Sequence, residues 1–282
     1  MPRQFTPVQL IEQTIVRRYH EELWSPFCKA IKRYELIRPG DKIAVCISGG
    51  KDSMLMAKMM QMLHRHTEIP FEVEYLVMDP GYAPENRRRV EENAARLEIP
   101  TTVFESDIFE VANAQEKNPC FLCARMRRGC LYKKARELGC NKIALGHHFD
   151  DVIGTTVMGM FYGGQLQAMI PKLWAKNFPG MELIRPLYLV REDDIVAWAK
   201  ANGLSFIQCA CRFTEDSARH EGGSKRLEIK NLIKELKKTN PTIEDNIFAS
   251  IHTLQLDTMV GWKYKGKEIS FLDDYEKGRG TC

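Results

Sequence analysis

From Asp41 onward, short apolar runs alternate with segments carrying apolar residues at helical spacing, and this alternation restricts the fold more than any other feature. The pattern predicts strands near 42–47, 72–78, 101–104, 142–146 and 182–184, and helices near 52–65, 84–97, 122–138, 150–161 and 192–202. Strands separated by helices form right-handed βαβ crossovers, which build a parallel sheet. The expected fold class is α/β: an open, parallel, five-stranded sheet with helices on both faces, Rossmann-like, plus N- and C-terminal helical extensions. Residues 8–37 repeat apolar positions (Val8, Ile11, Ile15, Tyr19, Leu23, Phe27, Ile31) as one or two helices would, and Pro39-Gly40 punctuates them. A basic amphipathic helix is predicted over 225–238, with Ile229, Leu232, Ile233 and Leu236 on one stripe, and a further helix near 243–259. The tail from Lys263 is rich in glycine and charge, as a mobile terminus would be. The expected division is an N-terminal extension over 1–39, an α/β domain over 40–215 and a C-terminal extension over 216–282.

The most informative stretch is Cys46-Ile47-Ser48-Gly49-Gly50-Lys51-Asp52-Ser53. A strand that turns through two glycines into a helix presents backbone N–H groups and the positive end of a helix dipole, an arrangement that holds phosphate oxygens. Gly49 and Gly50 allow the turn and the close approach of an anion. Lys51 adds charge, and Ser48 and Ser53 add hydroxyls. The Gly-x-x-x-x-Gly-Lys spacing of the common nucleotide loop is absent. Ligands of open parallel sheets bind beyond the carboxyl ends of the strands, and two further strand ends carry suitable residues. At Val77-Met78-Asp79-Pro80-Gly81, Val77 and Met78 can flank a purine. At Leu145-Gly146-His147-His148-Phe149-Asp150-Asp151, the paired carboxylates suit either a helix cap or a magnesium ion. Neither His147 nor His148 is assigned a catalytic role, since one of them is expected to pack against the loop.

The N-terminal Met-Pro-Arg-Gln-Phe lacks the apolar core of a signal peptide, and no run approaches the roughly 18 apolar residues of a membrane span, so a cytoplasmic protein is expected. A net charge of +4 is small, so any polyanionic partner must be met by local patches. Nine cysteines are too many and too odd in number for a disulfide framework in a reducing compartment. Cys120-Phe121-Leu122-Cys123 opens a predicted helix, where thiols deprotonate readily, and Cys209-Ala210-Cys211 follows on a loop that can reach the same sheet edge. From spacing alone a zinc site, an iron–sulfur cluster on three thiolates and a redox pair stand level. Cys28, Cys46, Cys130, Cys140 and Cys282 read as core or incidental residues.

The Ser48–Ser53 hexapeptide resembles the signature of the PP-loop ATP pyrophosphatases. Beyond it, Gly40-Asp41-Lys42-Ile43, Cys120 to Cys123 with Arg125 to Tyr132, Lys142 to Asp151, Met160 to Gly164, Ile184 to Leu187 and Arg191 to Ile195 resemble the tRNA 2-thiocytidine synthetase (TtcA) family, from about residue 25 to 260. That resemblance implies a PP-loop ATP-binding domain with an iron–sulfur site over 40–215. It implies adenylation of a pyrimidine 2-oxygen by ATP and its replacement by sulfur. The implied site has Lys51, Asp52 and Asp151 as catalytic residues, and Ser48, Gly49, Gly50, Lys51, Asp52, Ser53, Met78 and Gly146 around ATP. Cys120, Cys123 and Cys211 would hold a 4Fe–4S cluster, with Mg2+ on the phosphates. The chain departs from the family in its late cysteines, which stand two rather than three apart; aligning the second makes Cys211 the ligand, with Cys209 as the alternative. Asp79-Pro80-Gly81-Tyr82 also departs.

A tRNA loop offers unstacked bases, and its phosphates require basic surface. Candidates are Arg125, Arg127 and Arg128, the run Arg87 to Arg89, and Lys225 to Lys238; Arg87 to Arg89 read better as a solvated helix face. The sulfur donor would be a cysteine desulfurase or free sulfide, and the resemblance implies a homodimer. The rivals are a PP-loop enzyme thiolating or desulfurating another nucleobase or a small molecule, tRNA lysidine synthesis, and a non-catalytic, zinc-stabilised nucleotide- or RNA-binding protein.

Overall fold

The computed structural model describes residues 4–106, 108, 119–207 and 225–275, with only the backbone of 119–124 and 274. Thr6 opens the first helix, α1 (Pro7–Gln13), with a capping box: Gln9 N–H donates to Thr6 Oγ1 at 3.3 Å, and Thr6 N–H to Gln9 Oε1 at 3.0 Å. Two π-helical turns, Thr14–Arg18 and His20–Trp24, lead into α2 (Ser25–Arg33). Strand β1 (Lys42–Ile47) follows, then α3 (Lys51–His66), β2 (Glu72–Asp79), α4 (Pro84–Arg96), β3 (Thr101–Glu105) and α5 (Pro119–Glu137). The chain continues through β4 (Lys142–Ala144), α6 (Phe149–Gly163), β5 (Lys172–Trp174), β6 (Glu182–Ile184) and α7 (Glu192–Ala201). Helices α8 (Lys225–Thr239) and α9 (Ile243–Ser250), the hairpin β7 (Gly261–Tyr264) and β8 (Lys267–Ser270), and α10 (Leu272–Tyr275) complete it.

The sheet has six strands in the order β3-β2-β1-β4-β6-β5. The five expected strands are all present and parallel to their neighbours; the sixth, β5, pairs antiparallel with β6 at the edge. Strand β1 is central and almost wholly buried, as its unbroken apolar run Ile43 to Ile47 requires. On one face it meets α3, α4 and α7 through Met54, Met59, Val90 and Trp198; on the other, Tyr132 and Ala135 of α5 cover Cys46 and Ile143.

Ile15, Leu23 and Phe27 of the N-terminal helices join the first of these clusters. Lys58 of α3, 1% exposed, is ion-paired with Glu12 of α1 and donates to the Leu97 carbonyl at 2.9 Å. Such a cation is tolerated in an apolar interior only with partners of this kind. The C-terminal helices pack on α6, where Ile229 and Ile233 of α8 meet Phe149, Ile153 and Val157.

The helix expected near 243–259 ends at Ser250, and the chain beyond it makes the β7–β8 hairpin, which takes in the first residues of the glycine- and charge-rich tail; 276–282 lie outside the described residues. The two-residue turn Lys265-Gly266 explains this: both residues have positive φ, 49° and 81°, the geometry that matches strand twist in a tight hairpin. Among the described residues no helix is long and apolar enough to cross a membrane.

The amino end of the sheet is closed by a buried ion cluster. Lys142 Nζ lies 2.9 Å from Asp41 Oδ2, 2.9 Å from Glu182 Oε2 and 2.9 Å from the Leu36 carbonyl. The polar residues at the carboxyl end are arranged differently, around open space.

Candidate active site

Strand β1 stops at Ile47 and α3 begins at Lys51, so Ser48-Gly49-Gly50 makes the whole turn. Gly49 has φ +83°, and a Cβ there would lie 2.5 Å from Val90 Cγ2 and 2.6 Å from Ile207 Cδ1. Only glycine fits. Gly50 is different: it is extended, with φ −78°, and a Cβ would meet nothing nearer than 3.7 Å. As N-cap of α3 it offers no side-chain bond, which leaves the first-turn amides of the helix facing outward from the sheet edge.

Ser53 braces this turn from within. Its Oγ donates to the Gly50 carbonyl at 3.0 Å, accepts the Ser48 N–H at 3.1 Å, and lies 3.1 Å from Ser48 Oγ. Tyr82 braces it from outside, its hydroxyl donating to the Ser48 carbonyl at 3.1 Å. Tyr82 is itself placed by Asp79, whose Oδ1 accepts from the N–H groups of Gly81 (2.9 Å) and Tyr82 (2.7 Å). At Gly146 a Cβ would lie 3.0 Å from Ser53 N, so the end of β4 presses directly on the first turn of α3.

Lys51 Nζ sits 3.2 Å from the Asp52 carboxylate and 3.0 Å from Glu192 Oε1, and the second oxygen of Glu192 pairs with Lys230. Asp150 and Asp151 serve different helices. Asp150 Oδ2 accepts the Glu192 N–H at 2.7 Å and caps α7; Asp151 Oδ2 accepts the His148 N–H at 3.3 Å, and its Oδ1 lies 3.4 Å from Arg226. His148 is buried among three carboxylates: Nδ1 is 3.6 Å from Asp150, and Nε2 is 3.6 Å from Asp151 and 3.9 Å from Asp52. These distances are ion-pair contacts rather than hydrogen bonds.

The adjacent histidines are driven in opposite directions. Burial disfavours the imidazolium at both. At His148 the Asp150, Asp151 and Asp52 carboxylates outweigh burial and raise the pKa. At His147, burial and the neighbouring Arg185 lower it to about 4, with Asp151 only partly offsetting them. A folded pKa below the unfolded value of roughly 6.5 means that the unfolded chain binds the extra proton first. The His147 contribution to stability is therefore complete above pH 6.5 and declines as pH falls toward 4, by about 3 kcal/mol in all. His148 acts oppositely, its contribution being complete below pH 6.5 and lost as pH rises through its raised pKa. Replacing His147 by Gln is expected to flatten the acid side of the stability–pH curve between 6.5 and 4, measured by urea denaturation across that range.

Above these residues lies a cavity of about 1020 Å³. Ser48, Lys51, Asp52, Ser53, Met78, Gly146 and Asp151 of the expected site line it; Gly49 and Gly50 shape the turn beneath. Further walls come from Arg127 and Arg128 of α5 and from Arg226, Lys230, Lys234 and Lys237 of α8. Arg87 is instead held by Asp79 of β2 (3.1 Å), Glu91 of its own helix (3.0 Å) and Glu105 of β3 (2.7 Å), so it ties α4 to the sheet edge.

Helix α5 begins at Pro119, so Cys120 and Cys123 are its second and fifth residues, near its start as expected; their side chains lie outside the description. Cys209 and Cys211 also lie outside the described residues, two and four positions beyond Ile207, which touches the Gly49 turn. Cys46 and Cys140 are buried and free, and burial raises both thiols, Cys140 to about 11, so they behave as core residues. Glu192 is a site residue that the sequence reading missed. Its only local signal is the acidic start of α7, Glu192-Asp193-Asp194, which ordinarily means a helix dipole partner.

The PP-loop domain family matches residues 19–221. The tRNA-cytidine(32) 2-sulfurtransferase of Syntrophotalea carbinolica is 36% identical over 230 residues, covering 80% of this chain and 86% of that protein. The same enzyme from Ralstonia pickettii is 33% identical over 243 residues, covering 84% of this chain and 74% of its own length. Among solved structures, the U34-tRNA thiolase NcsA from Methanococcus maripaludis, with its 4Fe–4S cluster, superposes with a TM-score of 0.64 at 21% identity, over 92% of this chain and 88% of that one.

Proposed function

The chain belongs to the PP-loop family of tRNA-cytidine 2-sulfurtransferases, and from that premise we propose that it adenylates the 2-oxygen of a tRNA pyrimidine with ATP and exchanges that oxygen for sulfur. The observation that carries this reading is the junction of the braced Ser48–Ser53 turn with a cavity whose outer walls are cationic. ATP phosphates lie on the α3 amides and Lys51, with Met78 and Gly146 beside the base. The acceptor oxygen attacks the α-phosphorus, pyrophosphate leaves, and AMP departs when sulfur takes its place at carbon 2. The amides and Lys51 stabilise the charge that develops on the departing pyrophosphate.

Magnesium suits the donors that are present. Among the described residues no three acidic, histidine or cysteine side chains converge as metal ligands, but Asp52 and Asp151 both approach His148 Nε2, at 3.9 and 3.6 Å. This ion takes one or two carboxylates and leans on phosphates for the rest. Cys120 and Cys123 stand near the start of α5, where the helix dipole favours thiolates, and with Cys211 they would make a three-thiolate donor set suited to a 4Fe–4S cluster. When bound, such a cluster would supply the sulfur for the exchange. The sulfur originates in a cysteine desulfurase or free sulfide.

Mass spectrometry of tRNA nucleosides from a deletion strain tests the reading. Loss of 2-thiocytidine, restored by the intact gene, is expected; an unchanged nucleoside profile refutes the tRNA assignment. Anaerobic purification tests the cluster: a brown protein with broad visible absorption is expected, and a colourless protein holding one zinc ion refutes it.

A further inference from the structure

The cations around the cavity fall into two groups. Arg226, Lys230 and Lys237 are each paired with a carboxylate, Asp151 at 3.4 Å, Glu192, and Glu244 at 2.7 Å respectively. Arg127 and Arg128 of α5 and Lys234 of α8 also line the cavity, yet none of the three has a carboxylate partner among the described residues. Contrast Arg87, whose three acidic neighbours leave it no charge to offer.

Unneutralised cations facing one cavity from two separate helices call for an anion that the loop does not already hold. The triphosphate has Lys51 and the α3 amides. The cavity, at about 1020 Å³, stands at the top of the range for small-molecule sites, roughly 300–1000 Å³. The cavity-lining cations of α8 run from Arg226 to Lys237, 12 residues and about 16 Å of helix, a length that matches a strand better than a single anion, and Lys234 is the one among them without a carboxylate partner among the described residues. On the reading of the protein as a tRNA sulfurtransferase, we propose that Arg127, Arg128 and Lys234 grip the phosphates flanking the acceptor nucleotide. The RNA strand then enters between α5 and α8, and its unstacked base reaches the Ser48–Ser53 turn. Phosphate contacts of this kind position the strand and leave base identity to be read deeper in the cavity.

Each such contact releases condensed counterions, so its loss is visible in the salt dependence of binding. The experiment measures binding of unmodified tRNA transcript to the full chain across a salt series, for wild type, Lys234→Ala, Arg128→Ala and the double variant. Lys263→Ala is the control, because Lys263 lies on β7 outside the cavity and pairs with Glu268 at 2.8 Å. Lys234 and Arg128 are exposed, so the variants fold. Each cavity substitution is expected to weaken binding several-fold and to lower the slope of log affinity against log salt by about 1, additively, with ATP affinity unchanged. The control is expected to match wild type. A wild-type slope in the double variant overturns the proposal. So does a loss of ATP affinity, which would assign these cations to the nucleotide phosphates. A wild-type protein that binds no tRNA at all, even at low salt, refutes the tRNA reading itself.

Discussion

Lys51→Ala is expected to lower kcat/KM for ATP by about 10²–10³-fold, the usual cost of removing one fixed donor from developing negative charge. The structure adds a second loss. Lys51 is the cation between Asp52 (3.2 Å) and Glu192 (3.0 Å), and those carboxylates remain when it is gone. A triphosphate entering the site then meets the Asp52 and Glu192 carboxylates in place of an ammonium, with Lys230 still paired to Glu192. Burial works against the ammonium, yet the two carboxylates outweigh it and raise its pKa, so Lys51 remains charged throughout the physiological range. The two losses separate in the double variant Lys51→Ala, Glu192→Gln. With one repelling charge removed, nucleotide affinity is expected to recover in part while turnover does not. Pyrophosphate release and ATP binding, measured side by side, check both.

Gly49→Ala is expected to destabilise the fold by roughly 2–5 kcal/mol, combining the cost of positive φ for an L-residue with overpacking. The new methyl would have to displace Val90 Cγ2 and Ile207 Cδ1, which lie 2.5 and 2.6 Å from its position. Gly50→Ala should be nearly neutral for stability, since φ is −78° and the nearest atom is 3.7 Å away. Chemical denaturation of the two variants is decisive, because the residues are adjacent and chemically identical. A loss in the second as large as in the first would mean that strain across the whole turn, rather than the contacts at Gly49, sets the requirement.

Much of this architecture could be read from the chain because its signals are local. The strand–glycine–helix transition at 42–66 lies within one stretch of sequence, and so does the Cys-x-x-Cys at the start of α5. What escaped depends on contacts between distant residues or on very short elements. Glu192 meets Lys51 across 141 positions, and nothing near Glu192 announces that partner. Ser53 reads as a free hydroxyl in the sequence, but only the folded turn shows it engaged with Gly50 and Ser48. Strand β5 is three residues long and ends in Trp174, 66% exposed, too short to register a period of two. The β7–β8 turn uses Lys265-Gly266, where the strong hairpin signals are Asn-Gly and Asp-Gly.

One carboxylate, that of Glu192, is shared between Lys51 at the phosphate turn and Lys230 on α8. Oε1 goes to Lys51 and Oε2 to Lys230, so a single side chain braces the phosphate turn against α8. Nucleotide phosphates that draw Lys51 away leave Glu192 wholly to Lys230 and tighten that wall of the cavity. Occupancy of the phosphate turn is thus felt at the cationic wall of the cavity through one side chain.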